Sequence, residues 1–136
     1  MDTAQALNVV NEQHRAVLAT MRADGTPQMS PVLVVPDGGG RLLVSTRQGA
    51  MKTRNVRKDP RVWLCVMPDE FFGRWVQIEG DAEIVELPAA LDLLVDYYRR
   101  GTGEHPDWDE YRTAMVREKR VVLRIEPTRA GPDRAG

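Results

Sequence analysis

Apolar and polar positions alternate along much of this chain in short runs, and turn signals separate the runs. Residues 16–21 (AVLATM) read as a strand, and the Asp24-Gly25 pair after it is a hairpin signal. The return strand is expected over 28–35. Pro31 within it cannot donate a ladder hydrogen bond, which predicts a sheet edge or a bulge. A turn at 36–40 leads into a third strand at 41–46. Residues 61–67 are apolar at both parities, so that strand should be covered on both faces. Residues 74–86 form a long strand, with Val76, Ile78, Ala82 and Ile84 on one face and Trp75, Gln77 and Glu79 on the other. Gly80 in its middle predicts a bulge or a sharp bend. A last strand spans 120–126, with Val121, Leu123 and Ile125 on one side.

Helical spacing occurs in four places. Asp2 or Thr3 can cap a first helix to about Glu12, with Ala4, Ala6, Leu7 and Val10 on its apolar side. Residues 49–58 read as a short basic helix stopped by Asp59 and Pro60. Pro88 starts a third helix, with Leu91, Leu94, Val95 and Tyr98 as its stripe and Gly101 as its end. Asp107 can cap a fourth, containing Trp108, Tyr111 and Met115. Residues 127–136 show no periodicity and are expected to be a flexible tail after a single domain at 1–126. The order predicts a mostly β protein with flanking helices, an antiparallel barrel rather than a parallel α/β sheet.

Composition narrows the function. The chain has 136 residues, 42% hydrophobic and 29% charged, which suits one soluble domain. A formal charge of −1 gives no bulk attraction to nucleic acid or to an anionic membrane. No apolar run is long enough to span a bilayer and the N-terminus has no secretory pattern, so the expected location is the cytoplasm. The single cysteine, Cys65, rules out an internal disulfide and reads as a small buried hydrophobe. His14 and His105 lack ligand spacing, so no metal is expected. G-x-S-x-G, P-loop, H-E-x-x-H and C-x-x-C motifs are all missing, and no catalytic residue can be named. That favours a reaction whose hard chemistry belongs to a bound cofactor. A chain this small encloses a large ligand most readily between two copies.

Charge is uneven within the near-neutral total. Residues 47–61 hold six Lys or Arg and one Asp. Here a strand ending in Ser45 and Thr46 turns through Gly49 into a helix N-terminus, a setting that suits phosphate. Lys52 in the first turn opposes the helix dipole, which an anionic partner would explain. Spacing alone fits equally well an exposed helix with Met51 and Val56 packed inward.

At this segment the chain resembles the split β-barrel flavin- and deazaflavin-dependent oxidoreductases, relatives of pyridoxamine 5′-phosphate oxidase. The resemblance runs through AVLATM (16–21), DGTPQMSPV (24–32), VST (44–46), KTRNVRKDPRV (52–62) and VQIEGDAEI (76–84). GEHPDWDEYRTAM (103–115) is similar to the subgroup that uses coenzyme F420, a 5-deazaflavin. The resemblance implies an antiparallel split barrel and a homodimer with cofactor at the subunit interface. It implies that Lys52 meets the cofactor phosphate, with Arg54, Asn55 and Val56 beside it. Ser45 and Thr46 would line the ribityl chain and ring, and Met29, Ser30, Pro31 and Val32 would border the ring. Trp75 and Gln77 would approach from the other face or the other subunit. Arg57, Lys58 and Arg61 would steer an anionic tail. The implied activity is hydride transfer from reduced F420 to a small, mostly apolar unsaturated acceptor. FMN chemistry on the same fold, or a carrier without turnover, are the alternatives. Tyr97, Tyr98, Tyr111, His105 or solvent are the candidates for a proton donor.

Overall fold

The computed structural model describes residues 1–135. Helix α1 (Thr3–Glu12) leads into β1 (Arg15–Met21), β2 (Pro27–Leu33), the short β3 (Val35–Pro36) and β4 (Leu42–Arg47). Then come α2 (Met51–Lys58), β5 (Arg61–Met67), β6 (Arg74–Val85), α3 (Ala90–Thr102), α4 (Trp108–Arg117) and β7 (Arg120–Ala135). All seven strands form one sheet in the order β2-β1-β5-β6-β7-β4-β3. Every pairing is antiparallel. β2 and β3 stand at opposite ends of that order, yet Val34 alone separates them in sequence. The sheet must therefore curl until its edges meet, which is the expected split barrel. The join is fastened at His14, whose carbonyl accepts from the Val34 N–H at 2.8 Å while its Nδ1 lies 3.0 Å from the Val34 carbonyl.

Side-chain parity sorts the core into two layers. Leu18, Val44, Leu64, Ile78, Leu123 and Ile125 fill the barrel together with Ala6, Val9 and Val10 of α1. Leu43 and Val122, one residue out of step, pack instead under Ala90, Leu94 and Val95 of α3 and Tyr111 of α4. α1 starts as expected: Asp2 and Gln5 form a reciprocal capping box. Its buried side is Ala6, Val9 and Val10, whereas Ala4 is exposed. Pro31 does lie on an edge strand, and Gly80 does mark a register irregularity against β7.

Two expectations need correction. Gly101 does not end α3, which runs to Thr102 and stops at Gly103, φ 95°. Gly101 is small for packing, because a Cβ there would sit 2.7 Å from Leu33 Cδ2. The segment after Pro127 is also no loose tail. It continues β7, with Ala130 opposite Ile78 and Asp133 opposite Val76. Its last residue, Gly136, lies outside the described residues.

Candidate functional site

Helix α2 packs against β1 and β6 and is tied to the sheet by polar contacts. Thr53 Oγ1 donates to the Arg47 carbonyl at 2.7 Å and lies 3.4 Å from Thr46 Oγ1. Asn55 Nδ2 donates to Thr20 Oγ1 at 3.0 Å, and the Thr20 hydroxyl reaches Gln28 Oε1 at 3.4 Å. Thr20, Thr46, Thr53 and Asn55 are all buried. Val56, 4% exposed, joins the barrel core, whereas Met51 is 51% exposed. The inward packing expected of Met51 is therefore not seen, because the inner face of α2 is largely polar. Replacing Asn55 with alanine removes the donor to the buried Thr20 hydroxyl and leaves it only the long contact to Gln28, so chemical denaturation should show a loss of about 1–3 kcal/mol. An unchanged midpoint would mean that this buried bond adds nothing.

The start of α2 is electrostatically bare. Its N-cap, Ala50, has no side-chain acceptor, and the first turn holds no acidic residue. Lys52 occupies that turn, half-buried. Burial, and then the nearby Arg120 guanidinium, hold its ammonium pKa below the ordinary lysine value. Other cations of the segment are matched within the chain. Arg57 pairs with Glu86 at 2.7 Å and Arg61 with Asp59 at 2.7 Å. Arg54 and Lys58 instead line an open cleft of about 400 Å³ shared with Arg22, Asp24 and Met51.

The remaining expected residues fall into separate places. Thr46 points into the barrel, and Ser45, one residue before it, faces the α3 side near Tyr97. Ser30 stands opposite Leu18 on the inner face, and Val32 packs on the core. Ser30 Oγ is buried without a hydrogen-bond partner, the one such side-chain atom among the described residues. Met29 and Pro31 are exposed on the outer face. Trp75 and Gln77 share that outer face, but β1 and β5 lie between them and β2. One chain therefore brings Lys52, Ser45 and Thr46 to one corner and leaves Trp75 and Gln77 away from it.

The candidate acids are committed to packing. Tyr97 donates to the Leu33 carbonyl and Tyr111 to the Leu94 carbonyl, both at 2.8 Å. Burial pushes both phenols up, that of Tyr111 to about 12. Tyr98, His105, Trp108 and Tyr111 form an aromatic cluster of edge-to-face and tilted pairs at α3 and α4, with centroids 5.0–5.7 Å apart. Burial raises the Cys65 thiol, so it is a poor nucleophile at neutral pH. No three His, Cys, Asp or Glu among the described residues gather as a metal site. Among those residues no helix is long and apolar enough to cross a membrane.

Comparison with known proteins decides the family. The profile described as pyridoxamine 5′-phosphate oxidase matches residues 2–132. The chain belongs to the pyridoxamine 5′-phosphate oxidase family. Within it, the chain is similar to the F420H2-dependent biliverdin reductase of Mycobacterium tuberculosis, 29% identical over 123 residues, covering 89% of this chain and 80% of that protein. A conserved hypothetical protein of M. tuberculosis has a similar crystal structure, with TM-score 0.76 and 34% identity over 96% of this chain and 82% of that one. A structure named F420 reductase gives TM-score 0.70 and 25% identity, covering 91% of this chain and 94% of that one. These relatives place the family's deazaflavin-using branch beside this chain, in agreement with the resemblance at 103–115.

Sequence reasoning missed three members of the Lys52 corner: Arg47, Glu118 and Arg120. Glu118 lies 3.6 Å from Arg47 and 3.0 Å from Arg120. The β4–β7 register brings Arg47 to the Glu118–Arg120 pair, and no motif at 118–120 signals that meeting.

Proposed function

We propose that this protein is an F420-dependent oxidoreductase, acting on a small and mostly apolar unsaturated acceptor. The observation that carries the reading is the uncapped start of α2 with Lys52 desolvated in it and no carboxylate paired with it among the described residues. Such a corner destabilises the empty protein and suits the phosphate of a flavin-type side chain. The buried, unpartnered Ser30 hydroxyl adds a donor on the edge strand beside the barrel seam. The names of two relatives, a biliverdin reductase using F420H2 and an F420 reductase, favour the deazaflavin over FMN.

In this reading Lys52 and the first-turn amides of α2 hold the phosphate, with Ser45 and Thr46 along the ribityl chain. Met29, Ser30, Pro31 and Val32 border the ring through their backbone. Reduced deazaflavin, when bound, supplies the hydride. The chain itself orients the ring, excludes water and supports charge on the pyrimidine end. Arg54 and Lys58 face the open cleft and fit an anionic tail better than Arg57 and Arg61, which are already paired. A homodimer fits the placement of Trp75 and Gln77, which reach a ring at the Lys52 corner only from a second copy. The outer sheet face that would meet that copy carries Val17, Ala19, Trp63, Cys65 and Met29 in register.

The test is titration of the purified protein with F420 and with FMN, followed by fluorescence. Micromolar or tighter F420 binding and weaker FMN binding are expected. Tight FMN binding without an F420 response would replace the cofactor. F420 binding with no oxidation of F420H2 by quinone, enone or tetrapyrrole acceptors would make the protein a carrier.

A further inference from the structure

Arg47 on β4 and Arg120 on β7 stand directly opposite each other in the antiparallel register. Like charges in that relation repel and weaken a sheet. A single carboxylate answers both: Glu118 Oε1 lies 3.6 Å from Arg47 Nη2 and 3.0 Å from Arg120 Nη2. Lys52 is held over the same corner. The Ala50 N–H and the Thr53 hydroxyl both donate to the Arg47 carbonyl, at 3.1 and 2.7 Å. The Gln48 N–H donates to the Lys119 carbonyl at 2.9 Å and stitches this turn to the start of β7. Lys119 itself adopts φ 54°, a left-handed conformation unusual for a residue with a Cβ. That conformation turns the chain between Glu118 and Arg120. Beside them a cleft of about 270 Å³ opens between Gln48, Lys119, Arg120 and Glu86, whose carboxylate is already paired with Arg57.

Two guanidinium groups thus share one carboxylate, and Lys52, close enough to feel the Arg120 charge, has no part in that ion pair. The Arg120 and Glu118 side chains are only 27% and 28% exposed, so water screens them incompletely. Guanidinium edges match phosphate oxygens in pairs, where an ammonium acts as a point charge. We propose that Arg120, supported by Arg47, completes the phosphate cradle begun by Lys52. Glu118 is its internal competitor, occupying the Arg120 edge until a phosphate takes it. The identity of the phosphate carrier rests on the cofactor reading above, while the anion chemistry of the corner does not.

Two measurements test this separately. In the first, thermal unfolding is followed in inorganic phosphate and in chloride at equal ionic strength. Phosphate should stabilise the wild type, and Arg120→Gln should remove that gain. In the second, F420 and the same chromophore lacking its phosphate side chain are titrated by fluorescence. Arg120→Gln should weaken F420 by about 10-fold and leave the phosphate-free chromophore within about 2-fold. Glu118→Gln should act in the opposite sense and tighten F420 by about 3- to 10-fold. Equal losses for both chromophores in Arg120→Gln, or weaker F420 binding in Glu118→Gln, would overturn the proposal. The two readings fail differently. Selective loss in Lys52→Met with unchanged affinity in Arg120→Gln overturns the cradle and keeps the cofactor. Phosphate stabilisation abolished by Arg120→Gln, with neither chromophore bound, keeps the cradle and removes the cofactor.

Discussion

Replacing Lys52 with alanine is expected to weaken F420 binding by about 10- to 100-fold, the scale of one lost charge-assisted contact. The argument starts from the apoprotein. Burial and the neighbouring Arg120 charge disfavour the Lys52 ammonium in the folded chain. Its folded pKa therefore lies below the unfolded one. Between those two values the unfolded chain holds more protons, so stability rises with pH there. Below both values the folded state carries the full penalty of the desolvated charge. At neutral pH Lys52 thus lowers the stability of the empty protein, and Lys52→Met, which keeps the aliphatic stem, should raise its melting temperature. A bound phosphate reverses the balance by favouring the ammonium. Affinity should then be flat through neutral pH and fall as alkaline pH deprotonates Lys52. A variant that melts lower and binds equally well would make Lys52 a structural residue and remove the phosphate role.

The strand and helix order was legible because each element carries its own period and punctuation. Strand β5 (Arg61–Met67) has the expected bounds, since Pro60 and Pro68 flank it and its apolar residues occupy both parities. What could not be read locally was whatever another element supplies. The inner face of α2 is Thr53, Asn55 and Val56 because Thr20 and the Arg47 carbonyl receive its polar groups. Periodicity in the helix alone points to Met51 instead. The end of α3 was misplaced at Gly101 because its smallness answers Leu33 on β2, far away in sequence. Residues 127–135 lack alternation because bulges interrupt their pairing with β6. The Lys52 corner was half legible. The helix start lies in one segment, whereas Arg120 and Glu118 arrive from a distant part of the sequence.

Gly80→Ala should be among the most damaging single-methyl additions in the barrel, costing about 2–3 kcal/mol as an overpacked core site. A Cβ at Gly80 would lie 2.6 Å from the Glu126 carbonyl oxygen and 2.7 Å from Ile125 Cγ2. The first of these atoms is backbone, so no rotamer change relieves the clash, and β7 must move. That movement is opposed from both sides. Pro127 sits opposite Gly80 at the register shift, where the missing proline N–H is tolerated, and Ile125 is fully buried in the barrel core. For a chain of this size the expected fall in melting temperature is about 5–10 °C. Gly49→Ala supplies the contrast, since its Cβ meets nothing within 4 Å and its φ is not in the left-handed range. There the methyl should stabilise by about 0.4–1 kcal/mol through the unfolded chain. The opposite signs separate close approach of two strands from glycine's general flexibility. A neutral or stabilising Gly80→Ala would mean that β6 and β7 are farther apart at the bend than their register requires. If Arg120 holds phosphate as proposed, the bend bears on binding too, because β7 runs from Arg120 past Gly80 to the Trp75 end of β6. A displaced β7 should therefore weaken phosphate-dependent F420 binding in Gly80→Ala even at temperatures where the variant stays folded.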